Sequence, residues 1–138
     1  RNVGFHEPLK GYALFEDTDA SFGVLATHLL IGARNAQIYH HKARGSRASG
    51  RHLGVMQILN RAYILLRHAP ADSAAVRQLR RFSRYKIAQY LAGSTSAFGR
   101  SRLMGAIAAY RRLPELMAED RAELEQAFQR VFAKCLEP

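Results

Sequence analysis

Two clusters in the first fifty residues carry side chains that can do chemistry: Glu16-Asp17-Thr18-Asp19, and Ile38-Tyr39-His40-His41. Three carboxylates within four residues repel one another unless a cation, a donor group or solvent separates them. At the start of a helix, free backbone N–H groups can hold one of them ionised and aimed. A carboxylate held in this way is a candidate general base, taking a proton from a hydroxyl as that oxygen attacks. Plain helix capping accounts for the same spacing and is the alternative. A histidine at a strand end can ligate a divalent metal through a neutral imidazole nitrogen. Successive strand residues face opposite sides, so at most one of His40 and His41 would serve a given site. For either histidine, an ordinary surface or half-buried side chain is the alternative.

The elements that would position these groups follow from pattern. Residues 1–14 carry Gly4, Pro8 and Gly11 and read as loop. A helix opens at residues 15–19, where acids in a first turn complement the helix dipole, and continues through Phe22, Val24, Leu25 and Leu29. Residues 29–33 and 36–40 read as two short strands joined by a turn at Arg34-Asn35. Residues 42–50 form a polar loop with Gly45, Ser46, Ser49 and Gly50. Beyond it the pattern is helical: 51–68, 74–91, 99–113 and 115–136, with a Gly/Ser/Thr linker at 92–98. The expected fold is therefore α/β, a short-stranded first part at residues 1–50 followed by a helical extension at 51–138.

The order of these segments resembles the second half of a family 2 glycosyltransferase catalytic domain. The resemblance rests on Gly4-Phe5-His6-Glu7, Gly11-Tyr12, Phe15-Glu16-Asp17-Thr18-Asp19 and Ala36-Gln37-Ile38-Tyr39-His40-His41, with Asn60-Arg61-Ala62-Tyr63 through Arg67 similar to a helix that trails such domains. It covers residues 3–68. It implies the C-terminal, acceptor-side half of a GT-A fold and inverting transfer of a sugar from a nucleotide-diphosphate donor to a glycan or lipid-linked acceptor of the cell envelope. Under that resemblance Asp17 is the catalytic base and Glu16 orients the acceptor, with Asp19 and Tyr12 on the acceptor side. His40, with His41 as fallback, assists a Mg²⁺ or Mn²⁺ ion on the donor diphosphate, and Lys42, Arg44 and Arg47 meet its phosphates. The nucleotide-binding half would precede Arg1, so these 138 residues are expected to be inactive alone.

Charge supports a second, unrelated reading. The chain holds 21 Lys and Arg against 11 Asp and Glu, a formal net charge of +10. The imbalance is concentrated between Ala20 and Pro114, where sixteen basic residues face one acid, Asp72. Such a field attracts phosphates, whether of a nucleotide, an anionic lipid surface or nucleic acid. Tyrosines and arginines interleaved along residues 74–113 suit a non-enzymatic basic helical module that binds nucleic acid or a partner protein. No zinc-finger or RNP-like signature accompanies them, which sets nucleic acid behind the sugar nucleotide as the expected partner. Basic helices with Phe82, Tyr85, Tyr90 and Tyr110 also suit peripheral docking on an anionic membrane face. One Cys excludes an internal disulfide and a Cys-based zinc site, and a reducing, cytoplasmic compartment is expected.

Overall fold

The computed structural model describes Leu9 and residues 14–25, 27–29, 31 and 48–137. Among these described residues lie six helices: α1 Glu16–Leu25, α2 Gly50–His68, α3 Ala74–Arg77, α4 Leu79–Ala92, α5 Ala97–Met117 and α6 Leu124–Leu136. Serines set three of the starts. Ser49 Oγ accepts from the His52 N–H at 3.2 Å, Ser73 Oγ from Val76 at 3.2 Å, and Ser96 Oγ from Gly99 at 3.0 Å. Each satisfies a donor that the first helical turn leaves unpaired. Pro70 follows the end of α2, where the Ala69 N–H still reaches the Leu65 carbonyl at 2.8 Å. Arg121 donates to the Ala69 carbonyl at 2.6 Å, a cation at the negative end of the helix.

The centre of the molecule is the crossing of α2 and α5, onto which α6 packs from one side. Gly50 and Gly54 on α2 lie against the α5 backbone at Phe98, Arg102 and Ala106, and Gly105 on α5 lies against the backbone of Arg51. The Arg51 N–H donates to Ser101 Oγ at 3.0 Å across that seam. The Arg51 side chain reaches the end of α6 instead, donating from Nε to the Cys135 carbonyl at 3.0 Å and from Nη2 to the Glu137 carbonyl. Val55, Leu59, Ala62, Tyr63, Ala106, Ala109, Leu113, Leu116, Phe128 and Val131 form one continuous core. Burial pushes the Cys135 thiol up to about 11, so it stays protonated within this core. Helix α4 packs on α5, and α1 lies against α2.

Three expectations are corrected here. The described residues hold no strand, so the α/β fold and the GT-A half are replaced by a helical architecture. Leu29 and Ile31, which open the first expected strand, are 88% and 89% exposed and outside any regular element. Apolar alternation makes a strand only when a partner supplies the ladder hydrogen bonds. The second expected strand, 36–40, lies outside the described residues. Pro114 does not end a helix: it sits inside α5, whose Leu113 and Leu116 are fully buried on either side of it. Core burial there outweighs the hydrogen bond a proline removes. The break falls later, at 118–123, where four of the six residues are charged. The expected helix 74–91 is divided at Gln78 into α3 and α4.

The acidic turn and a candidate anion-binding face

The three carboxylates of the 16–19 cluster part company once α1 forms. Asp17 is exposed, and its Oδ1 accepts from the Thr18 N–H at 2.8 Å. Glu16 is half-buried in the same first turn. Asp19 is turned inward, 5% exposed. Its Oδ1 lies 2.7 Å from His68 Nε2, and its Oδ2 accepts from Arg67 Nη1 at 3.1 Å, both partners standing in the last turn of α2. Phe22, one turn along α1, stacks on the His68 ring with centroids 5.5 Å apart. Asn60 Nδ2 donates to the Leu14 carbonyl at 3.0 Å and holds the chain entering α1. Asp19 thus fastens α1 to α2.

Substitution separates the buried acid from the exposed one. Asp19→Ala leaves the Arg67 guanidinium and His68 without their carboxylate and is expected to lower stability by about 1–3 kcal/mol, the lower part of that range because Arg67 remains solvated. Asp17→Ala is expected to stay within about 0.5 kcal/mol of the parent. Urea denaturation of the two variants measures both, and equal effects would contradict the placement.

Of the other candidate residues, Tyr12, His40, His41, Lys42, Arg44 and Arg47 lie outside the described residues. No group of three or more His, Cys, Asp or Glu able to hold a metal occurs among the described residues. None of the described helices is long and apolar enough to cross a membrane.

The outer face of α3 and α4 carries the basic stripe. Arg77, Arg80, Arg81 and Arg84 follow the i, i+3, i+4, i+7 spacing of one helical face, and all four are exposed. The opposite side of α4 is committed to the core through Leu79, Ser83 and Tyr90. Arg77 donates to the Asp72 carbonyl, while Arg80, Arg81 and Arg84 meet no carboxylate among the described residues. Beside them, the Arg61 guanidinium sits over the Phe82 ring at 4.1 Å, and Tyr85 is 61% exposed. A shallow cavity of about 380 Å³ lies between α2 and α4, lined by Arg61, Arg81, Phe82 and Tyr85 among others. Periodicity sets these arginines against Val76, Leu79, Phe82 and Ile87, and no acid occurs from Ser73 to Pro114.

No protein-family model matches the chain, and the comparisons with curated proteins and with solved structures find no match either. The glycosyltransferase resemblance is corrected on both counts, by the helical architecture and by the absence of a family match. That resemblance implied metal-assisted sugar transfer with Mg²⁺ or Mn²⁺ and a nucleotide-sugar donor, and its expected metal ligands, His40 and His41, lie outside the described residues.

Proposed function

We propose that this chain is a non-enzymatic helical module that binds the phosphate backbone of nucleic acid through the arginine face of α3 and α4. The observation that carries this reading is the stripe Arg77, Arg80, Arg81 and Arg84, exposed, with three of the four lacking a carboxylate partner among the described residues. Seven residues of helix span about 10 Å, which lets the stripe track several successive phosphates. The guanidinium fork suits phosphate oxygens, and its charge is permanent. A membrane surface is the lesser fit. An interfacial helix inserts a free apolar face, whereas the apolar side of α4 is already packed on α5.

Fluorescence anisotropy with a labelled DNA duplex, repeated across a salt series, tests the reading. The expected result is binding at low salt that weakens steeply as salt rises. The triple variant Arg80→Ala, Arg81→Ala, Arg84→Ala should flatten the dependence of log K on log salt by about 2–3, close to 0.9 for each phosphate no longer neutralised. All three side chains are exposed, so circular dichroism should show the fold intact. Absence of duplex binding at low salt, or a triple variant that binds like the parent, overturns the proposal. Binding to phosphatidylserine vesicles without duplex binding would overturn it in favour of a lipid surface.

A further inference from the structure

The corner between α4 and α5, away from the arginine stripe, gathers several hydrogen-bond donors. A cleft of about 430 Å³ opens there, lined by Lys86, Tyr90, Ser96, Phe98 and Arg102 among others. Its floor is the first turn of α5, a helix of 21 residues. Ser96 Oγ takes the Gly99 N–H, but the N–H groups of Ala97 and Phe98 have no partner among the described residues. That end of the helix carries partial positive charge. Lys86 and Arg102 add two cations, and no acid lines the cleft. Lys86 Nζ donates to Gln89 Oε1 at 3.0 Å and meets no carboxylate among the described residues.

An independent observation comes from the wall. Tyr90 is only 6% exposed, yet its hydroxyl has no hydrogen-bond partner, and the Arg102 Nε is equally buried and equally unpartnered. The Arg102 guanidinium lies 4.0 Å over the Tyr90 ring. A buried donor left unpaired has lost its water and gained nothing in exchange, a penalty that an oxygen-rich ligand between these two would remove. Cations, helix-end N–H groups and unpaired O–H and N–H donors all call for the same ligand chemistry, a compact polyoxyanion.

We propose that the α4–α5 corner binds a phosphomonoester group, held by Lys86, Arg102, the Tyr90 hydroxyl and the backbone N–H groups that open α5. In the free protein the Arg102 guanidinium lies on the Tyr90 ring, and both side chains line the cleft. Phe98, 48% exposed at the rim, offers an apolar surface to whatever carries the phosphate. Two carriers present this group, a small phosphorylated molecule and the 5′ end of a nucleic acid strand. The site does not depend on the arginine-stripe reading.

Amide NMR of the full chain, titrated with phenyl phosphate, tests the proposal. The expected result is saturable movement of the Ala97, Phe98 and Gly99 amide signals. Tyr90→Phe, which removes one oxygen and keeps the ring, should weaken binding several-fold with the helix content unchanged. Lys86→Gln should weaken it by a comparable factor. A matched pair of short single strands, one 5′-phosphorylated and one with a 5′-hydroxyl, assigns the source. Tighter binding of the 5′-phosphorylated strand than of its 5′-hydroxyl twin, with the same three amides moving, places a nucleic acid end in the cleft, and parity of the two strands places a small phosphomonoester there. Phenyl phosphate that leaves those three amides unmoved, or binds Tyr90→Phe and Lys86→Gln as it binds the parent, overturns the site.

Discussion

Gly54→Val is expected to abolish the folded state. A Cβ at position 54 would lie 2.0 Å from the Arg102 carbonyl oxygen and 2.7 Å from the Ala106 nitrogen, both backbone atoms of α5. Neither can rotate away as a side-chain tip would, so α2 and α5 must move apart. That opening would run along the central seam of the core, where Val55, Ala106 and Ala109 are fully buried. Overpacking of a core costs about 1–3 kcal/mol even where side chains can adjust. Here the obstacle is backbone, and Val adds two more methyls. Even Gly54→Ala should destabilise. The gain in helix propensity, about 1 kcal/mol, works in the opposite direction and is too small to offset the clash. Gly93→Ala is the matched comparison. Its Cβ would meet its nearest neighbours, two carbonyl oxygens, at 3.7 and 3.9 Å, so a change below about 1 kcal/mol is expected. Circular dichroism melts distinguish these outcomes. A Gly54→Val protein that melts like the parent would mean that α2 and α5 do not cross at this point.

Phe128→Ala is the second large effect, about 3–5 kcal/mol. Phe128 is 1% exposed, its ring centroid 4.7 Å from Tyr63 and 5.5 Å from Phe132, and His52 meets Phe132 edge-on at 5.3 Å. These rings join α2 to α6, and truncating the central one leaves a void bounded by two helices. A domain of this size is stable by about 5–15 kcal/mol, so the loss takes a large share of the total. Urea denaturation should show a lower midpoint with an unchanged slope; an effect below about 1 kcal/mol would contradict the packing. The same cluster links stability to alkaline pH. Burial pushes the Tyr63 hydroxyl up to about 12, with the nearby Arg67 cation opposing the shift. An unfolded tyrosine ionises near pH 10, roughly the ordinary value for a phenol. Between those values the unfolded chain releases a proton that the folded chain keeps, so this contribution to stability is whole below about pH 10 and declines as pH rises toward about 12.

The helices of the second half are legible because their signals are local. Ser49, Ser73 and Ser96 mark starts, and apolar spacing over 51–68 and in the last helix matches the faces that are buried. The failures share a different cause. Leu29 and Ile31 alternate like a strand, and Pro114 looks like a stop, but whether a strand finds a partner or a proline is overruled by Leu113 and Leu116 depends on residues far along the chain. In the acidic cluster, spacing places Glu16, Asp17 and Asp19 at a helix start, as found. It offers no means of knowing that Asp19 alone turns toward α2. Its partners, Arg67 and His68, lie 48 and 49 residues away.

Glycine spacing holds a further signal. Gly50 and Gly54, one turn apart, and Gly105 within an apolar helix mark close backbone approach, since a residue without Cβ is otherwise a poor choice there. By itself, the amino-acid order determined the helical character of the C-terminal part and the acid-free basic run from Ser73 to Pro114, because each depends on neighbours within a turn or two, but not the breaks at Gln78 and 118–123. Only the tertiary structure decided which charges remain free. Asp19 is neutralised where α1 meets α2, while Arg80, Arg81 and Arg84 stay outward because the opposite face of α4 is committed to α5. Pairing and burial are set by which helices touch, and that is a property of the packed chain.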